Sequence, residues 1–162
     1  MKNTKILTLT AMVMALCAIG ALIKIPVFST TAALDAAPAF ISTVFLPPLY
    51  AGIAGGIGHM LTALTSGMPL GPFHFIIAGA MFIVVWIFAL LHRRGQHTLK
   101  WIWALVSNGI VSPLPFYFLI SPAFYISATP GIVLATILNL VLAAILMPIL
   151  QKVFARKGVH TA

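Results

Sequence analysis

The stretch FHFIIAGAMFIVVWIFALL, residues 73–91, decides the fold class, together with the HRRGQHTLK that follows at 92–100. From Phe75 to Leu91 it holds no ionisable side chain, and as a helix it is about long enough to cross the roughly 30 Å hydrocarbon core of a bilayer. It then runs directly into Arg93, Arg94 and Lys100. The same alternation of apolar run and polar break extends along the chain in both directions. Of 162 residues, 62% are hydrophobic and 6% are charged, against about 25% charged in an average soluble domain. Too few charges are present to clothe a water-exposed surface, so the apolar excess faces lipid.

Working outward, the expected spans are 6–23, 32–46, 49–65, 73–91, 101–120 and 131–150, within a single transmembrane domain covering 1–162. Pro26, Pro47-Pro48, the run Ser66-Gly67-Met68-Pro69-Leu70-Gly71-Pro72 and the segment 121–130 read as the breaks between them. Pro38 falls in the first turn of the second run, with Ser29, Thr30, Thr31 or Asp35 as capping candidates. Pro113 and Pro115 break the fifth run. The reading is an all-α integral membrane protein, a six-helix bundle.

The formal net charge of +8 is distributed as membrane topology requires. Lys2 and Lys5 open the chain, Arg93, Arg94 and Lys100 share one loop, and Lys152, Arg156 and Lys157 close it. Six crossings bring all three clusters, and both termini, to the cytoplasmic side. Lys24 is the exception. A nucleic-acid footprint would form one continuous basic face, so nucleic acid is not an expected partner. Cys17 stands alone, which excludes an internal disulfide framework and a multi-cysteine metal site. The basic, apolar N-terminus is read as a retained span rather than a cleaved signal, because no polar mature chain follows it. Trp101 and Trp103, beside Lys100, read as interfacial anchors.

Polar residues inside apolar spans are costly and usually face a partner or a cavity. Under the six-span topology they gather toward the outer face: Asp35, His59, Thr62, His74, Asn108 and Tyr125 are the candidate substrate-binding residues. Each has a structural alternative. Asp35, the only acidic residue, can cap a helix or pair with Lys24; His59 can bond a neighbouring helix; His74 can belong to a loop. Asn139 reads as interhelical glue. Phe116, Tyr117, Phe124 and Tyr125 read as an aromatic belt ahead of a ligand platform. On the third helix, Gly52, Gly55, Gly56, His59, Thr62 and Ser66 share one face, a glycine groove that turns polar at its outer half. On the first, Thr8, Ala11, Ala15 and Ala18 form a stripe of small residues suited to close helix approach.

No catalytic set is expected: there is one carboxylate, no H-E-x-x-H or comparable metal spacing, and no phosphate-binding P-loop. What remains is a binding protein energised by partners. A structural subunit of a membrane complex, and a small autonomous channel or secondary transporter, are the rival classes.

Six short spans, the Ala11-x-x-x-Ala15 pair and the Gly/Ala-rich third helix resemble the substrate-binding S components of energy-coupling factor (ECF) vitamin transporters. Residues 34–40, LDAAPAF, and 58–71, GHMLTALTSGMPLG, are similar to the branch assigned to α-ribazole, a cobalamin precursor. The resemblance implies a multi-pass protein of the bacterial cytoplasmic membrane that captures a vitamin precursor in an outward cavity. It implies docking through Ala11 and Ala15 on a transmembrane coupling protein that carries two ATPase subunits. It also implies no cofactor of the chain's own, ATP being used by the partners. Another vitamin or a nucleoside-like precursor is the alternative substrate.

Overall fold

The structure is a computed structural model describing residues 3–27 and 30–156. Its elements in chain order are α1 (Asn3–Gly20), β1 (Lys24–Val27), β2 (Thr30–Ala33), α2 (Ala37–Ser42), α3 (Pro48–Thr65), α4 (His74–Arg93), α5 (Leu99–Val106), α6 (Pro115–Leu119) and α7 (Pro122–Arg156). A 3-10 turn, Gly71–Phe73, leads into α4, and a π-helical turn, Ser107–Val111, continues α5. Four helical stretches are long and apolar enough to cross a membrane: Asn3–Gly20, Gly71–Arg93, Leu99–Leu119 and Pro122–Phe154. The chain is a mostly helical membrane protein.

Two expectations give way. The run 32–46 is not one helix. Its first residues pair with the preceding segment in an antiparallel hairpin, Lys24 opposite Ala33 and Val27 opposite Thr30, so the chain is not purely α-helical. Ile25 favours a pleated strand and Pro26 forbids helix around it. The helix that follows, α2, has six residues and rises only about 9 Å. The segment 121–130 is the second correction, because it is not a loop but the first turns of α7. Pro122 occupies the first turn, where its missing N–H costs nothing, and the Ser121 hydroxyl accepts from Phe124 N at 3.1 Å. Pro130 and Pro148 both lie inside α7.

Cysteine and glycine set how closely α1, α3 and α4 approach. A methyl group on Gly56 would lie 2.9 Å from the Ala78 carbonyl oxygen, and one on Gly55 would lie 2.8 Å from Val85 Cγ2. The glycine groove expected on the third helix is thus the seat of α4. Gly58 faces α1, where a methyl would meet Cys17 Cβ at 2.8 Å. The short α2 plugs the centre: Phe40 is fully buried and meets Phe88 edge-on at 5.1 Å, and Phe88 meets Trp101 at 5.2 Å. Around this core the outer faces carry large exposed apolar side chains, among them Leu16, Ile83, Ile102, Phe118 and Ile145. Such a belt is a liability in water and the normal condition in lipid.

The bundle has two distinct ends. At one, the end of α1 touches Leu34 and Asp35 through Gly20, and His59 on α3 meets His74 at the start of α4. At the other, Lys100 Nζ donates to His92 Nδ1 at 2.9 Å, and His92 Nε2 lies 3.2 Å from the Gln151 carboxamide. Lys100 is buried and sits 4.8 Å from the Trp101 ring centroid, so its stem and charge are shielded by aromatic surface. The Arg93 guanidinium donates to the Leu46 carbonyl at 3.2 Å. The basic residues Arg93, Lys100 and Lys152 therefore share the end opposite Asp35, as does the start of α1.

Candidate functional site

A cavity of about 300 Å³ opens among the end of β2, the junction between β2 and α2, α3, α4, the π turn, α6 and α7, at the Asp35 end of the bundle. That volume lies at the lower limit of small-molecule sites. Its wall is mainly apolar, with Ile77, Met81, Phe116, Phe124, Ile132 and Ala135 contributing. Three of the six residues expected from the sequence line it: Asp35, His59 and Asn108. Each arrives from a different element.

Asp35 sits between β2 and α2, half-buried. The Thr62 side chain is its neighbour on α3. Thr62 stands one turn beyond His59 on α3 and bonds the Gly58 carbonyl at 3.1 Å. It supports Asp35 from behind the wall. The N-cap position of α2 is Ala36, not Asp35; Ser29 and the side chains of Thr30 and Thr31 lie outside what the structure describes. The cap comes from α7 instead: Asn139 Oδ1 accepts from Ala36 N at 3.0 Å and Ala37 N at 2.7 Å. Asn139 Nδ2 donates to the carbonyls of Ala33 and Ala135, both at 2.8 Å. All four hydrogen-bonding positions of that carboxamide are used within the protein. Asn139 is glue, as its place in an apolar run suggested, and it fixes the backbone that carries Asp35.

Asn108 lies in the π turn, whose extra residue is closed by Ser112 N donating to Ser107 O at 2.7 Å. Inserting one residue into the helical ladder re-aims the side chains that follow, and such turns recur at functional sites. Asn108 Nδ2 donates to Thr136 Oγ1 at 2.9 Å, and Thr136 in turn donates to the Ile132 carbonyl at 2.8 Å. The Asn108 carboxamide oxygen has no partner among the described residues. The turn also lies close to α7, since a methyl on Gly109 would meet Val133 Cγ2 at 3.1 Å.

His59 is half-buried, and its Nε2 lies 3.2 Å from Nδ1 of the buried His74. His74 Nε2 accepts from the backbone N–H of Leu70 at 3.3 Å. His74 is therefore one step behind the wall, tied to a loop residue whose own side chain lines the cavity. Tyr125 is placed elsewhere: its hydroxyl donates to the Ile110 carbonyl at 3.3 Å and its ring lies outside the cavity.

The four aromatic residues read together as a belt divide by face. Phe116 and Phe124 line the cavity with ring centroids 6.3 Å apart at 83°, while Tyr117 and Tyr125 pair on the outer side at 6.0 Å. Ser112 and Thr136, which no sequence pattern marked, also line the cavity. Their hydroxyls are spaced 24 positions apart on segments without a shared period, so no local pattern joins them. Ala11 and Ala15 are both exposed on α1, on the side away from its buried residues Val13 and Cys17. Among the described residues, no cluster of histidine, cysteine and acidic groups could hold a metal ion.

No curated protein and no solved structure matches the chain. The family profile of the ECF transporter substrate-specific component matches residues 5–152. The chain belongs to that family. It is a substrate-specific membrane subunit of a transporter, in a family of substrate-binding subunits and not of enzymes, and membership implies association with an ECF module and a small-molecule substrate.

Proposed function

We propose that this ECF substrate-specific component captures α-ribazole in the cavity between α3, α4 and α7. The observation that carries the reading is that both segments resembling the α-ribazole branch reach the cavity wall. Asp35 and Ala36 come from 34–40, and His59 and Leu70 from 58–71. The chemistry of the wall agrees. Phe116 and Phe124 offer aromatic surface to a flat benzimidazole, worth about 0.5–1.5 kcal/mol beyond burial. Asp35, His59 and Asn108 supply polar contacts for a ribose, each neutral bond contributing about 0.5–1.5 kcal/mol net. Among the described residues no lysine or arginine lines the cavity, which disfavours a strongly anionic substrate.

In the same proposal the chain crosses the cell membrane six times with both termini inside. The gathering of Arg93, Lys100 and Lys152 at the end opposite Asp35 favours that orientation under the positive-inside rule. The cavity then faces outward, beneath the loop 66–72. Ala11 and Ala15 form the docking face for the coupling protein, and its two ATPases drive release inward. Calorimetry on the purified chain tests the substrate, with riboflavin, thiamine and pantothenate as controls. One-to-one binding of α-ribazole alone, weakened by Asp35→Ala and His59→Ala, is the expected result. Tight binding of a control and none of α-ribazole would discard the substrate.

A further inference from the structure

The hydrogen bonds around His74 have a direction that can be followed into the cavity. A backbone N–H can only donate, so His74 Nε2, 3.3 Å from Leu70 N, is an acceptor and carries no proton. A neutral imidazole has one donor and one acceptor, so the His74 proton is on Nδ1. That nitrogen faces His59 Nε2 at 3.2 Å, and His59 Nε2 must therefore accept. The His59 proton is left on Nδ1, which has no partner among the described residues, on a ring that lines the cavity. The loop that starts the chain of bonds is shaped for the purpose. Gly67, Met68 and Gly71 all have positive φ, at 80°, 52° and 54°, and Met68 is a residue type that rarely adopts such a conformation. That backbone turns the Leu70 N–H back toward α4.

We infer that His74 is a positioning residue that fixes His59 as a neutral Nδ1–H donor, so that the ligand atom meeting His59 is a hydrogen-bond acceptor such as a ribose hydroxyl oxygen or an unprotonated ring nitrogen. The instruction originates in the loop 66–72, through Leu70, and passes along two imidazoles without any net charge entering the cavity. A ligand presenting an N–H or a cationic nitrogen at that point faces donor against donor and is rejected. The ligand half of the inference rests on the proposed function of this cavity; the tautomer half does not.

Nitrogen NMR of the full chain, labelled at histidine and held in lipid nanodiscs at neutral pH, separates the two. His59→Gln and His74→Asn assign the signals. Without ligand, both rings are expected to be neutral and protonated at Nδ1. His74→Asn retains an amide N–H at the Nδ1 position and keeps the His59 tautomer, whereas His74→Ala releases it to a mixture. With α-ribazole as the probe, the His59 Nδ1 signal moves on binding. His74→Ala weakens binding by roughly three- to tenfold, the loss of one directed neutral bond, and His74→Asn largely restores it. Finding Nε2–H on either ring, or a His59 tautomer indifferent to His74→Ala, overturns the inference. Both tautomers as stated but no binding of α-ribazole would leave the relay standing and defeat the substrate assignment instead.

Discussion

Replacing Asn139 by alanine removes the cap that α7 provides for α2. Three of its four hydrogen bonds cross between elements, to Ala36 N, Ala37 N and Ala33 O; the fourth, to Ala135 O, lies within α7 and duplicates a helical bond. Side-chain hydrogen bonds between membrane helices measure about 0.6 kcal/mol on average and up to about 1.7. Ala37 is fully buried, so no water replaces what its N–H loses, and for that one bond the upper half of the range applies. Asn139→Ala should therefore cost roughly 2–4 kcal/mol of stability. Asn139→Asp keeps both acceptors at the α2 N-terminus but loses the donors, and should fall between alanine and the native residue. Reversible unfolding in mixed micelles by a denaturing detergent measures the difference. If Asn139→Ala were as stable as the native chain within about 0.5 kcal/mol while ligand binding vanished, the carboxamide would be a ligand contact and the capping argument would be wrong.

Four further outcomes follow. Gly56→Ala should destabilise by about 1–3 kcal/mol through overpacking, because the methyl would press on the Ala78 carbonyl. Gly79→Ala, with open space around it, should gain about 0.5–1 kcal/mol in helix propensity; thermal melts in detergent compare the two. Phe116→Ala should weaken α-ribazole binding by about tenfold from lost stacking and burial, read by the same calorimetry. Ala11→Leu with Ala15→Leu should leave that binding unchanged and abolish co-purification with the coupling protein; retained co-purification places docking on another face.

Much of the membrane character was legible in composition, and the glycine face of α3 was legible in its spacing. Gly52, Gly55 and Gly56 recur on a helical period, and nothing else explains small residues there as economically as the close approach of α4. The hairpin and the short α2 were not legible, because the apolar run 32–46 has the composition of a span and only its length argued otherwise. Apolarity is what the bilayer and the interior of the bundle both select, and Phe40 serves the interior. The helical start of α7 was hidden for a related reason. Ser121, Pro122 and Pro130 are loop signals in isolation, yet Ser121 caps and Pro122 opens a helix when one follows.

The site shows the same division. Asp35, His59 and Asn108 stood out because polar groups are conspicuous in apolar sequence. Tyr125 stood out equally and bonds a carbonyl outside the cavity, since polarity alone carries no direction. The π turn that re-aims Asn108 is a single extra residue in the ladder and leaves no periodic trace. Phe116 and Tyr117 are adjacent in sequence and differ only in the face they present, which the interrupted fifth helix made unreadable.

Uptake of labelled α-ribazole into liposomes containing this chain, the coupling protein and both ATPases tests the central claim most directly. The account predicts ATP-dependent accumulation that requires all the subunits and falls when Asp35 or His59 is replaced by alanine. Accumulation by liposomes holding this chain alone, indifferent to ATP, would contradict it.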